Sequence, residues 1–470
     1  MGESTDELRR DLTLTGAASL VVGIVIGTGI FLKTSVMTQE AGSPGLVLAA
    51  WVAAGLLTLA GALTYAELGA MLPRSGGEYV YTREAFGEMP AFFNGWAKLV
   101  VGGGSNGAYG AAFATFLSAV VPLGAAWSEH TFHLLGQDVL WQFGPRQIVA
   151  VSIILLLAAV NCCAVAVGGR VQTVLALAKL LPIAALIIGI FFFSRDGSWA
   201  NLTAAATSPG RGGLAGFGAA VFAALWAFSG WHYMPMAAGE IRNPGRNVPL
   251  ALGAGITVVL IVYCLVNVAY FYGLSSEQVA TASSTRFPEA PSVAAKAAGT
   301  FLGPAGTTFI AAGFLLSTVG SLNGVLLSGP RIFFTMARDG LFFSRFGMVS
   351  PGTRVPARSV ILYAAWGSLL ALTGTFDQLT NLAVLANLIF WGLTASTIFV
   401  FRRNRPDALR PYRTLGYPVV PAVFILLVLW LIWNTLQTNP VESVAMLLLL
   451  ALGLPFYLYF QHKKRAAKPR

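Results

Sequence analysis

The chain is a succession of apolar runs, most of them roughly 17 to 25 residues long, the length that crosses a hydrocarbon core about 30 Å thick. Short polar stretches separate the runs. Hydrophobic residues make up 56% of the sequence and charged residues 10%, where a soluble domain carries about 25% charged residues. Residues 1–470 therefore read as a single polytopic, all-α integral membrane domain.

Hydrophobicity and breakers place twelve spans, near 13–38, 46–72, 90–122, 146–167, 170–194, 213–239, 248–273, 301–337, 357–374, 378–401, 416–436 and 441–461. The N-terminal segment MGESTDELRRDLTLTG carries four acidic residues and lacks the basic region and cleavage site of a signal peptide, so the first span is expected to persist. An even number of spans puts both termini on one side. The loops on that side hold most of the 30 basic residues, among them Arg74, Arg242, Arg331, the group from Arg402 to Arg413, and Lys463, Lys468 and Arg470. Positive residues accumulate on the cytoplasmic face, so cytoplasmic termini in a plasma membrane are expected, and the net charge of +11 is mostly topology.

Several function classes fall away. Cys162, Cys163 and Cys264 provide neither a disulfide framework nor a zinc spacing. His130 and His133 are too isolated to argue a metal site, so neither metal nor cofactor is expected. There is no soluble basic domain for nucleic acid. An enzyme needs convergent acids, bases or nucleophiles, and a channel needs a continuous polar pore; the spans offer one deep lysine, one histidine and paired interruptions, which leaves a channel or membrane-embedded enzyme as the remote alternative.

Two spans, the first and the sixth, contain small-residue interruptions: VIGTGIF at 25–31 and LWAFSGWHYMP at 225–235. Their corresponding places in two five-span halves suggest an inverted repeat, 13–194 and 213–401, with 416–461 as two additional spans. Backbone groups freed by unwinding inside a membrane need protein, water or ligand as partners. The amides around Thr28, Gly29 and Ile30, at the start of a resumed helix, suit a carboxylate. The carbonyls of Val25, Trp226, Ala227 and Ser229 suit an ammonium group. A zwitterionic amino acid satisfies both; the competing reading is that the glycines only permit close helix packing.

Lys179 lies about nine residues into the fifth span, roughly 13 Å deep at about 1.5 Å per residue. A lysine at helix centre costs about 2.5–3.5 kcal/mol to insert, so it should face the protein interior or a cavity. Lys98, nearer a span end, reads as a snorkelling side chain. Trp226 is placed to cover a ligand as a gate, or to pack as other tryptophans do. His232 has two readings: a proton-coupling group titrating near neutrality, or a hydrogen-bonded structural histidine. Glu67 and Glu240, near span ends, read as structural.

Together, VIGTGIF, YAELGAMLPRSGGEYVYTREAFG at 65–87, the fifth-span lysine, EIRNPGRNVP at 240–249 and GSLNGVLLSGPRIFFTMARDG at 320–340 resemble the amino acid, polyamine and organocation transporter superfamily. Within it, the resemblance is to the L-type amino acid transporter group and its bacterial relatives. It implies the leucine-transporter fold, with five-plus-five inverted repeats, discontinuous helices 1 and 6, and alternating access. It implies that Lys179 stands where other members bind sodium, reaching carbonyls around Gly23 and the hydroxyl of Ser321, and hence sodium-independent transport. Ser105 and Asn106 become candidate side-chain contacts. Two positions depart from the group: Ser-Gly-Trp-His at 229–232 replaces Gly-Gly-Trp-Asn, and Trp226 replaces phenylalanine. The larger gate suggests small neutral substrates such as alanine or serine, taken by exchange, with proton-coupled import of amino acids or amines as the alternative. Residues 123–145 contain no cysteine, so no covalently linked heavy chain is expected.

Overall fold

A computed structural model of the chain describes residues 8–100, 102–134, 137–204, 212–284, 286–287, 289–373, 376–438 and 440–466. Lys468 and Arg470 lie outside the described residues.

Local signals account for where many helices begin and end. The hydroxyl of Thr13 accepts from the amide of Gly16 and starts α1 (Leu14–Val25), a side-chain cap of the kind that satisfies an orphan amide. Residues 26–28 are non-helical. The chain resumes as α2 (Gly29–Ala41), inclined at 43° to α1, and Gly42 stops it at φ 76°, a left-handed conformation that suits glycine. Ser43 and Pro44 open α3 (Pro44–Met71).

Two shorter helices, α4 (Glu78–Phe86) and α5 (Glu88–Val100), follow, and α6 (Gly102–Ser118) falls in the second part of the expected third span. The outer segment after α6 forms an antiparallel hairpin, β1 (Ser128–Leu134) with β2 (Gln137–Phe143), paired from Ser128↔Phe143 to Leu134↔Gln137. The sequence reading treated this segment as loop. The indole of Trp141 donates to the Leu372 carbonyl at 2.9 Å, seating the hairpin on the helices.

Next come α7 (Pro145–Cys163), α8 (Val165–Phe193), α9 (Gly213–Ala227), a 3-10 segment at Trp231–Glu240, and α10 (Pro244–Gly273). Beyond them lie α11 (Ser276–Ala280), α12 (Val293–Leu302), α13 (Ala305–Ser328), α14 (Pro330–Arg338) and α15 (Ala357–Thr373). The C-terminal part holds α16 (Phe376–Asn404), α17 (Val419–Thr438), α18 (Pro440–Ala451) and α19 (Gly453–Ala466). Among the described residues, nine helices are long and apolar enough to cross a membrane, ten with the bent pair α1 and α2 taken as one. Of the twelve expected spans, the two outside this set correspond to α5 with α6, which flank the undescribed residue 101, and to α15.

The helix α8 shows how these elements meet two apolar environments. Val174, Leu177, Leu181, Ile188 and Phe192 form an exposed stripe, whereas Gln172, Ala176, Lys179, Ile183, Leu186 and Ile190 are buried along the opposite side. Spacings of three and four residues put each set on one face. An exposed apolar stripe backed by a buried lysine is the pattern of a helix between lipid and a polar protein interior. Inside, α10 packs on α3 and α1, α2 on α9, and α8 on α13 and α1. These contacts bring both interrupted segments to the middle of the bundle.

Candidate substrate site

The break in the first segment exposes the ends of two helices of opposite polarity. At the end of α1, carbonyls without intrahelical partners carry the negative end of the helix dipole. The ammonium of Lys179 sits there, donating to Gly23 O at 2.6 Å, Ile26 O at 2.8 Å and Ser317 O at 3.0 Å. A lysine has three N–H donors, and all three are used. The hydroxyl of Ser321 does not accept from the ammonium; it donates to Gly23 O and Ile24 O, each at 3.2 Å. Ser317, which the sequence reading missed, contributes its carbonyl and also donates its hydroxyl to Ile26 O at 2.8 Å. Lys179, Gly23 and Ser321 therefore share one cluster, on α8, α1 and α13.

At the start of α2 the polarity is reversed, and the first amides of a helix have no intrahelical acceptor. Thr28 is buried, and its hydroxyl has no hydrogen-bond partner among the described residues. Gly29 faces the end of α9 so closely that a Cβ added there would lie 2.5 Å from Ala227 Cβ and 2.7 Å from its Cα, with the Trp226 ring at 3.2 Å. Only glycine fits this approach. The two interruptions thus meet at Gly29, Trp226 and Ala227. Ile30, the next residue, is buried, and its carbonyl accepts from the Tyr270 hydroxyl at 3.4 Å.

The second interruption runs from Phe228 to Gly230, where φ is 118°. Its carbonyls are not all open. The Tyr263 hydroxyl on α10 approaches Val25 O at 2.9 Å and Ala227 O at 3.0 Å, while the Ser229 amide donates to Trp226 O at 3.1 Å. Tyr263 was invisible to the sequence reading, since one tyrosine in an apolar span carries no signal of what it will meet. The ring of Trp226 lies 4.7 Å from Lys33 Nζ.

The remaining candidates separate. Ser105 lies within reach of the Tyr233 hydroxyl. Asn106 is turned to α15, donating to Tyr363 O at 3.4 Å and packing against Gly367, away from both interruptions. His232 is fully buried among Trp231, Tyr233 and Trp391, and neither ring nitrogen has a partner among the described residues. Among the described residues, the hydrogen bonds that one reading gave this histidine find no partner.

Lys98 corrects a second expectation. It does not snorkel: its side chain is 3% exposed, paired with fully buried Glu78 at 3.1 Å and donating to Asn387 Oδ1 at 2.8 Å. Tyr65 donates to the other Glu78 oxygen at 2.9 Å. A further buried chain links Asn161, Asn323, Gln172 and the Ser19 carbonyl across α7, α13, α8 and α1.

The arginine-rich end is tied down by carboxylates. Glu240 makes a bidentate pair with Arg331 at 2.6 and 3.0 Å. Glu67 accepts from Arg402 at 3.0 and 2.7 Å and from the Thr414 amide at 2.6 Å. The backbone of Leu12 bridges Glu240 and Arg242, holding the segment before α1 against the end of the 3-10 segment. Partial burial disfavours the charged form of the Glu84 carboxylate, but hydrogen bonds from Arg405 and Arg74 outweigh it and hold the group below its ordinary range.

Two interrupted segments that meet inside a bundle of apolar helices define a class: multi-spanning membrane proteins with a polar interior. The amino acid permease family model matches residues 12–454, and the chain belongs to that family. The serine/threonine exchanger SteT of Bacillus subtilis is 30% identical over 462 residues, covering 98% of both chains. The b(0,+)-type amino acid transporter 1 of Homo sapiens is 31% identical over 475 residues, 98% of this chain and 90% of its own. The cystine/glutamate transporter of Homo sapiens is 28% identical over 461 residues, 98% of this chain and 87% of its own. The family and these relatives are transporters rather than enzymes, and amino acid transport across a membrane is the shared activity.

Proposed function

We propose that the chain is a sodium-independent exchanger of small neutral L-amino acids that works by alternating access. The observation that carries the reading is the Lys179 ammonium held by Gly23 O, Ile26 O and Ser317 O. A tethered cation there fills a ring of carbonyl oxygens of the kind that coordinates a free monovalent cation, and leaves no need for one. Its contacts join α8 to α1 and α13, so its energy depends on how those helices are arranged, and it can help couple their movement to occupancy.

In this reading the carboxylate of the substrate binds at Thr28, Gly29 and Ile30. Its ammonium takes carbonyls among Val25, Trp226, Ala227 and Ser229, and Trp226 closes over it. The close approach of Gly29 to Ala227 supports a site small enough for alanine or serine. The name of the Bacillus subtilis relative supports exchange of hydroxyl amino acids in particular. Twelve spans in two inverted five-helix repeats, 13–194 and 213–401, with 416–461 outside them, complete the architecture. The arginine-rich end and both termini face the cytoplasm of a plasma membrane, and the chain works without a covalently attached heavy chain.

The test is uptake of radiolabelled alanine into liposomes containing purified protein, without sodium and at fixed pH. Exchange requires that unlabelled amino acid inside accelerate uptake. Uptake into empty vesicles that follows an inward proton gradient would replace exchange with symport.

A further inference from the structure

Three polar atoms beyond the second interruption are buried with no hydrogen-bond partner among the described residues: Nδ1 and Nε2 of His232 and Nε1 of Trp391. The two rings are neighbours, with centroids 5.1 Å apart. Burying such atoms unpaired is costly, and native proteins do so rarely; an orphaned group calls for a missing water or ligand. Here three occur together.

The surroundings of Trp391 link the pair to the interruption, and His232 follows Gly230 by two residues. Trp391 lines a narrow cavity together with Trp226, Ser229 and Asn387, so one wall of the cavity belongs to the break and the other to α16. Asn387 is oriented as well. Lysine is donor-only, so the Asn387 atom 2.8 Å from Lys98 Nζ must be the amide oxygen, which leaves the two Nδ2 hydrogens free to point elsewhere. The Glu78 pair holds Lys98 in turn, fixing that orientation from the far side.

We propose that His232 and Trp391 form a specificity subsite for an uncharged hydrogen-bonding side chain, a hydroxyl or a carboxamide, on the transported amino acid. This rests on the proposed amino acid exchange. A neutral imidazole offers one donor and one acceptor, and the indole offers a donor only. A hydroxyl or carboxamide both donates and accepts, and so can pair with one imidazole nitrogen and with the indole N–H at once. An aliphatic side chain of the same shape leaves it unpaired. Sites built to hydrogen-bond a substrate reject an analogue that lacks the group far more strongly than apolar pockets reject an added one. The subsite therefore separates threonine from valine, which have nearly the same shape.

The experiment compares threonine and valine in exchange by the purified full-length protein in liposomes. In parallel, the thermal stabilisation each gives in detergent reports binding without requiring transport. The expected result is a preference for threonine of about tenfold or more in kcat/KM, with matching order in stabilisation. In His232→Phe and Trp391→Phe, which keep ring bulk and remove the polar atoms, the preference should fall to about threefold or less; Trp391→Phe is the more conservative change should the other fail to fold. Equal treatment of threonine and valine by the unaltered protein overturns the subsite, as does a preference that both variants retain. Failure of alanine to exchange would count against the transport reading instead, and the stabilisation assay would still decide the threonine–valine question.

Discussion

The Tyr263 hydroxyl lies 2.9 Å from the Val25 carbonyl and 3.0 Å from the Ala227 carbonyl, joining the two interrupted segments through one atom of α10. A hydroxyl has one proton to donate, so the two carbonyls compete for it, and a substrate ammonium arriving with three donors can serve both. Tyr263→Phe removes the bridge and keeps the ring. The loss of one hydrogen bond of about 1 kcal/mol should slow alanine exchange roughly fivefold. Transport by Tyr263→Phe at the unaltered rate and KM would show that the bridge plays no part.

Lys179→Ala should slow transport more than it weakens binding. The ammonium touches α1 and α13, and Gly23 and Ile26 are not the residues assigned to the substrate. Scintillation-proximity binding and liposome uptake, measured on the same preparation, separate the two effects. Equal loss in both would refute a coupling role.

Gly29→Ala should abolish exchange, because the new methyl would stand 2.5 Å from Ala227 Cβ. Adding Ala227→Gly removes that atom but leaves Ala227's backbone Cα at 2.7 Å. The double variant should therefore regain only part of the activity. Full activity in Gly29→Ala alone would mean that the segments separate freely there.

How far these relationships could be read in advance depended on whether one residue carried the signal by itself. Lys179 was legible because a charge in an apolar run has a fixed insertion cost, and Gly-Thr-Gly because glycine pairs mark a departure from helix. Tyr263 and Ser317 were not, since their roles arise only when α10 and α13 are laid against α1. Lys98 was misread for a related reason. Depth along a span says nothing of lateral direction, and its partner Glu78 belongs to a segment that folds back as α4. The hairpin at 128–143 carried no signal of its own, since two seven-residue strands between long apolar spans are defined only by their pairing with each other.

The Glu78–Lys98 pair provides the sharpest energetic test. Removing one partner of a buried ion pair strands the other charge and costs about 3–5 kcal/mol, whereas replacing both is often close to neutral. Lys98→Met strands the carboxylate of Glu78, although Tyr65 still donates to it; Glu78→Gln strands the ammonium of Lys98, although Asn387 still accepts from it. Each single variant should therefore lower the melting temperature in detergent markedly, and the double variant should recover most of the loss. Simple addition of the two single losses would show that the groups act independently, and the cycle would then place their stabilising contacts with Tyr65 and Asn387 rather than with each other.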